Sequence, residues 1–252
     1  MRAGALVLAV SILLPLAAQA GTAQGALGAA RNSIETADYS LKGRLVGVDA
    51  SGKRTSYGVS IKAHWFPKML RVLIEVNSPA EARVHVLLEM QPTGRSTIQI
   101  AHPGDTEASY LPFDKWTEGP LGEGFSYEDF LESPYFWAGQ KDLGKVKFGM
   151  RQCDQVISTP GAADMSHYSR VKSWLDSESG FPVYVEKTLK GSGNVKEFTY
   201  FGLRRTNDVW SAHQIEAKIH GQAGSTLFII DRGAPKAHLE LKDFNLALLT
   251  HF

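Results

Sequence analysis

Alternation of apolar and polar side chains is the feature that most constrains the fold of this chain. In residues 56–65 (SYGVSIKAHW), every second side chain from Tyr57 to Trp65 is apolar, and those between are mostly small or polar. A period of two is typical of a strand in an antiparallel sheet with one buried face. The pattern recurs in about ten or eleven segments joined mostly by short turns. The sequence therefore predicts one curved, mostly antiparallel sheet that ends with a strand at 238–246 (HLELKDFNL).

A helical pattern appears near the start of the chain, in residues 22–38. Its apolar residues recur at spacings of three and four: Leu27, Ala30, Ile34 and Ala37. This spacing predicts a short amphipathic helix that packs on the sheet. The predicted fold class is therefore mainly β, with a small helical cover.

The segment from Tyr110 to Trp137 interrupts the strand pattern. It holds nine aromatic residues in 28 positions, and its prolines and glycines prevent one regular element. Ser126 precedes Asp129 by three residues, the spacing of a capping box, and this predicts a short helical turn. Helix-cap electrostatics then account for Glu128 and Asp129. The segment is predicted to be a lid or plug between two β-rich halves.

The first twenty residues have the pattern of a secretory signal peptide. Arg2 precedes a 12-residue apolar core, and Ala18-Gln19-Ala20 fits a small-x-small cleavage site. That apolar run is well short of the roughly 20 residues needed to span a bilayer, so no stable membrane anchor is expected. The predicted organisation is a signal peptide at 1–20 and a single domain at 21–252.

The motifs of several function classes are missing from the sequence. The net charge is +1 without a basic run, which disfavours nucleic-acid binding. Ser126 lacks a nucleophile-elbow context, and the eight histidines are scattered as surface residues and have no metal-site spacing. Cys153 is the sole cysteine and is expected to be a buried strand residue. We therefore predict no catalytic residue, no metal ligand and no cofactor.

Several motifs together resemble the LolA-like fold, in particular its outer-membrane lipoprotein-sorting branch. They are residues 71–83 (RVLIEVNSPAEAR), Tyr110-Leu111-Pro112, 122–132 (GEGFSYEDFLE), 169–186 (SRVKSWLDSESGFPVYVE), 209–218 and 239–245. The chain departs from the branch at two places. Residues 113–116 (FDKW) replace a basic pair, and Gly124 replaces an aspartate.

The resemblance implies an unclosed β-barrel whose apolar concave face holds acyl chains. It implies a periplasmic carrier or chaperone, not an enzyme, that moves a lipid or lipoprotein towards the outer membrane. An inner-membrane transporter would load the cargo, and an outer-membrane acceptor would receive it. Such a carrier offsets the roughly 13 kcal/mol needed to expose a ~16-carbon chain to water.

Within this interpretation, alternation and the aromatic segment supply the candidate cavity and lid residues. They are Trp65, Val72, Ile74, Val76, Tyr110, Leu111, Phe113, Trp116, Phe125, Tyr127, Phe130, Trp174 and Phe228. Two alternative functions remain open. One is a lipid- or lipoprotein-sensing regulatory domain that acts through a membrane partner. The other is an enzyme, such as a lipid hydrolase, on a β-barrel scaffold.

Overall fold

The structure is a computed structural model that describes residues 23–92, 96–119, 124–206 and 209–252. The predicted signal peptide lies outside these residues. Helix α1 spans Ala23–Glu35. The strands are β1 (Asp38–Val48), β2 (Arg54–Phe66), β3 (Met69–Ser78), β4 (Val84–Met90), β5 (Ser96–Ala101), β6 (Ser109–Tyr110), β7 (Gly139–Phe148), β8 (Arg151–Thr159), β9 (Tyr168–Asp176), β10 (Pro182–Leu189), β11 (Val195–Phe201), β12 (Arg204–Thr206), β13 (Val209–Ser211), β14 (Gln214–Ile219) and β15 (Ser225–Pro235).

Thirteen of these strands form one antiparallel sheet, which confirms the predicted fold class. Their order is β6-β5-β4-β3-β2-β1-β15-β14-β11-β10-β9-β8-β7, and β12 pairs with β13 in a separate hairpin. The sheet does not close into a barrel. The first and second halves of the chain meet where β1 pairs with β15.

The alternation of β2 produces the expected buried face. Val59, Ile61 and Ala63 are buried in the main core, and Tyr57 and Trp65 pack against it. On the neighbouring strand, Val72, Ile74 and Val76 join the same core, because residues two apart project from one face of a strand.

The predicted helix forms as α1, with Leu27 and Ala30 buried. Both residues pack with Tyr135, Val156 and Leu175, so the apolar stripe of the helix covers the end of the sheet around β8 and β9. This position places α1 on the face of the sheet that carries the main core, which is called the concave face below.

The prediction of a strand at 238–246 is wrong. Residues Leu241–Phe244 and Leu246–Thr250 form 3-10 helices. The carboxylate of Asp38 accepts hydrogen bonds from the backbone N–H groups of His238 and Leu239, and this holds the start of the segment beside β1. Both edges of β1 are already paired, so the segment turns across the opposite face of the sheet instead of adding a strand.

The C-terminal 3-10 helices cover a second apolar cluster on the opposite face of the sheet. Phe244 and Leu249 pack there with Leu73 and Leu87. The strand-like pattern of residues 209–221 is divided between β13 and β14, which belong to different sheets. Among the described residues, no helix is both long and apolar enough to cross a membrane.

Candidate functional site

The aromatic segment lies across the concave face of the sheet. The Phe125 ring packs 5.5 Å from the Phe198 ring and 6.3 Å from the Phe228 ring, measured between centroids. Within the segment, Phe125 also lies 5.8 Å from Phe130. These contacts join the segment to β11 and β15, so the segment forms part of the core.

The described part of the segment, 110–119 and 124–137, forms three short 3-10 helices, at Phe113–Lys115, Tyr127–Phe130 and Ser133–Phe136. The predicted capping box is confirmed, since the backbone N–H of Ser126 donates to Asp129 Oδ2 over 2.8 Å. Pro112 is the N-cap of the first turn and Pro134 lies at the start of the third, where a missing backbone N–H costs little.

A cavity of about 600 Å³ lies between α1, the aromatic segment and the concave face. Apolar side chains on its wall include Ile34, Val72, Phe125, Phe130 and Phe228. Its volume is within the range of about 300–1,000 Å³ that is typical of small-molecule sites.

The structure places the thirteen predicted residues in several environments. Four of them, Val72, Phe125, Phe130 and Phe228, border the cavity. Six belong to or pack against the same core without bordering the cavity: Trp65, Ile74, Val76, Leu111, Trp116 and Tyr127.

The other three predicted residues lie away from the cavity wall. Tyr110 is 68% exposed on the edge strand β6, and Phe113 is stacked on His167. Trp174 packs with Cys153 and Val183 in a cluster on the face opposite α1. Val171 is on the core face of β9, and a residue three positions further along a strand points the other way.

A buried ionic cluster joins the 3-10 helix Tyr127–Phe130 to three strands. The Asp129 side chain is 0% exposed and pairs with Lys187 on β10 over 3.1 Å and with Lys196 on β11 over 2.6 Å. The Tyr168 hydroxyl on β9 donates to the same carboxylate over 2.6 Å. Helix capping alone therefore does not account for the role of Asp129.

The neighbouring carboxylate points away and holds a loop. Glu128 Oε1 accepts from Ser166 Oγ over 2.5 Å and from the backbone N–H of His167 over 3.0 Å. His167 Nδ1 lies 2.8 Å from Glu128 Oε2. The prediction that the histidines are ordinary surface residues is therefore wrong for His167. It is also wrong for His85, which is 5% exposed and bonded to the Leu249 carbonyl.

The sequence contains a weak indication that Lys187 and Lys196 face the core. Lys196 occupies the strand position two residues before Phe198, and Lys187 lies two residues after Val185. Both apolar neighbours face the core, so each lysine takes an inward position. A buried lysine requires a counter-charge, and that requirement points to a carboxylate on the covering segment.

Charge governs the protonation of Asp129. Burial alone would raise the pKa of this carboxyl, but the Lys196 and Lys187 ammonium groups and the Tyr168 hydroxyl outweigh burial. The pKa of Asp129 therefore lies well below its usual range. For Glu132, which also borders the cavity, burial raises the pKa, and Lys187 opposes that shift.

We expect the stabilisation from Asp129 to be lost in acid. The folded-state pKa of Asp129 lies below the unfolded value of about 3.9. At pH values between the two, the unfolded state therefore binds more protons than the folded state. The contribution is complete above about pH 5 and decreases as the pH falls through about 4 and below. Unfolding free energies of the wild type and Asp129→Asn, measured from neutral pH to about pH 3, should therefore converge in acid. A constant difference would contradict this expectation.

Gly124 leaves room for a side chain of β15. A Cβ atom at this position would lie 2.3 Å from Thr226 Cβ and 2.3 Å from Thr226 Oγ1. Thr226 is buried, so it has little space to retreat. The glycine at this position is therefore matched to Thr226.

We expect Gly124→Ala to lower the free energy of unfolding by about 1–3 kcal/mol through overpacking. Thr226→Ala removes both close atoms, so adding it to Gly124→Ala should recover part of the loss. Urea unfolding of the two single variants and the double variant measures this coupling. Gly28→Ala, where the new Cβ meets nothing within 4 Å, is the control. Strictly additive effects would show that the two residues do not compete for space.

No group of three or more potential metal-binding side chains occurs in the part of the chain that the structure describes.

Cys153 is fully buried, as predicted, and burial raises the pKa of its thiol to about 11. A raised pKa disfavours the reactive thiolate.

The unclosed antiparallel sheet with its helix and aromatic cover has the LolA-like fold. A family model described as "Uncharacterized protein" matches residues 71–251, which is well over half of the chain. The chain belongs to this family, DUF1329. Among curated protein sequences, none matches the chain significantly.

Solved structures share this fold at low sequence identity. One is described as a candidate outer membrane lipoprotein-sorting protein domain from Vibrio parahaemolyticus, with a TM-score of 0.79 and 18% identity over 91% of this chain and 100% of that one. A DUF1329 family protein from Desulfovibrio piger also has a TM-score of 0.79, with 13% identity over 90% of this chain and 99% of that one. A LolA superfamily protein from Nitrosomonas europaea has a TM-score of 0.64 and 14% identity, covering 89% and 97% of the two chains.

Proposed function

We propose that this protein is a carrier that binds the acyl chains of a lipid or lipoprotein in the concave cavity. The observation that carries the proposal is a cavity of about 600 Å³ with an apolar concave wall, covered by the aromatic segment. Enclosing a long acyl chain there offsets roughly 0.8 kcal/mol of exposure to water for each methylene. The lipoprotein-sorting description of the Vibrio domain, which shares this fold, supports this class of function.

The proposal includes export and direction. Residues 1–20 act as a signal peptide, residues 21–252 form one domain, and the protein works in the periplasm. It receives cargo at the inner membrane and delivers it towards the outer membrane. Carriage by sequestration needs no catalytic group, which agrees with the scattered histidines and serines of the sequence.

Two measurements test lipid binding directly. The exported protein is purified without detergent, and bound lipids are identified by mass spectrometry of the organic extract. The delipidated protein is then titrated with N-phenyl-1-naphthylamine, an uncharged probe that fluoresces in apolar surroundings. We expect co-purified lipid and saturable probe binding that lipid displaces. Protein that carries no lipid and binds no probe would refute the proposal.

A further inference from the structure

We propose that Lys187 forms the head-group end of the cavity and that the preferred ligand is an acyl-chain amphiphile with an acidic head, a carboxylate or a phosphate. This inference rests on the proposed lipid-binding function and specifies its ligand class. The geometry of the buried ionic cluster supports it in three steps.

First, the two lysines of the cluster differ in how fully they are bonded. The Lys196 ammonium lies 2.6 Å from Asp129 Oδ2, 3.3 Å from Ser126 Oγ and 3.4 Å from the Tyr168 hydroxyl. The Lys187 ammonium lies 3.1 Å from Asp129 Oδ1 and 3.5 Å from the Asp129 carbonyl oxygen. An ammonium group has three donors, so Lys187 retains capacity for another acceptor.

Second, Lys187 is placed at the cavity. Lys187, Asp129 and Phe198 all border it, whereas Lys196 does not. The Lys187 ammonium lies 4.8 Å from the centroid of the Phe198 ring. The side chain of Lys187 is 10% exposed, so a ligand inside the cavity can reach the ammonium with little competition from water.

Third, the local charge is unbalanced. Among the described residues, Asp129 is the carboxylate within ion-pair distance of the Lys187 and Lys196 ammonium groups. Glu132 borders the cavity but lies outside ion-pair distance, and burial disfavours its charged form. Two cations therefore share one close anion, and a buried charge requires a partner. An acidic head group on the ligand meets that requirement while its chain occupies the apolar wall.

Other charged residues also border the cavity. Arg204 and Lys236 border the cavity and are exposed, while Asp38 is engaged by backbone N–H groups and His64. Exposed cations contribute less than a buried one because water screens them. Lys187 is therefore the residue expected to distinguish an acidic head from a neutral one.

Displacement of N-phenyl-1-naphthylamine from the delipidated full protein tests this preference. The competitors share one chain and differ in the head: dodecanoic acid, dodecyl phosphate, methyl dodecanoate and dodecan-1-ol. For the wild type we expect at least one of the two acids to displace the probe about tenfold more tightly than the ester and the alcohol. The acid that displaces more tightly identifies the head group as carboxylate or phosphate.

The variant Lys187→Met keeps the length of the side chain and removes its charge. We expect it to lose the preference for the acid over the ester, whereas Lys187→Arg should retain part of that preference. Lys172→Met is the matched control, because Lys172 lies over the Trp174 ring on the opposite face of the sheet. Thermal unfolding of each variant separates loss of binding from loss of fold.

The possible results separate the role of Lys187 from the proposed carriage of lipid. A wild type that binds acid, ester and alcohol equally would overturn the role of Lys187 but leave lipid carriage intact. A preference for the acid that survives in Lys187→Met would also overturn it. Failure of every competitor and of the probe itself would overturn lipid carriage too.

Discussion

Asp129→Asn is expected to lower the free energy of unfolding by about 3–5 kcal/mol, because it leaves two buried ammonium groups without a carboxylate. For a domain of this size, such a loss lowers the unfolding temperature by roughly 10 °C. The Asp129 side chain is fully buried, so solvent does not replace the lost interaction. Calorimetry or urea unfolding of the purified variant measures the effect.

Two comparisons make the Asp129 prediction specific. Asp114→Asn changes an exposed carboxylate in the same segment and should cost no more than about 0.5 kcal/mol. Adding Lys196→Met to Asp129→Asn removes one of the stranded charges and should recover part of the lost stability. A loss for Asp129→Asn as small as that for Asp114→Asn would show that the cluster contributes little.

The same change should loosen the aromatic segment before the rest of the fold. Asp129 connects the segment to β9, β10 and β11 through Tyr168, Lys187 and Lys196. These strands are also joined to one another by their own hydrogen-bonded ladders, which do not include this contact. We therefore expect hydrogen exchange to accelerate first in residues 124–137. If the aromatic segment opens as the predicted lid, we expect a weaker cluster to open the cavity more often.

The strands and the capped turn were predictable because their signals are local. The alternation from Tyr57 to Trp65 depends on neighbours two residues apart, and the capping box on residues three apart. The class of fold followed from the same local patterns, since a one-sided sheet with few helices has a small number of ways to bury its apolar face.

The ionic cluster was not predictable in the same way, because its partners are distant in sequence. Asp129 lies 58 residues from Lys187 and 67 residues from Lys196. Local reasoning assigned Asp129 to the helix cap, which it does serve through Ser126. Inward lysines require a buried anion, but only the three-dimensional pairing shows which carboxylate supplies it.

The prediction of a strand at 238–246 was wrong for a related reason. Its alternating letters satisfy the strand pattern, yet a strand also needs a free edge with which to pair. The edges of the sheet are β6 and β7, and the segment starts beside β1, which is already paired on both sides. Alternation therefore indicates which side chains would lie on each face of a strand. It does not establish that a partner strand is available.

At the cavity wall, Phe130→Asp is expected to weaken binding of N-phenyl-1-naphthylamine and of acyl chains at least tenfold. Phe130 borders the cavity and is only partly buried, so its replacement presents a carboxylate to an apolar ligand. The fold should survive, with a loss of no more than about 2 kcal/mol. Fluorescence titration and thermal unfolding of the same preparation give the two quantities. Phe130→Leu, which keeps the wall apolar, should bind the probe within a few-fold of the wild type.

Trp116→Asp provides the contrasting result, although the sequence groups Trp116 with Phe130. Trp116 is 2% exposed, its indole N–H donates to the Leu111 carbonyl over 3.1 Å, and it does not border the cavity. Removing so large a buried side chain costs about 3–5 kcal/mol before the cost of burying a charge is added. We therefore expect Trp116→Asp to lose stability first and binding only as a consequence. If both variants lost binding and stability in the same proportion, Phe130 would belong to the packed core and the ligand would have to lie elsewhere.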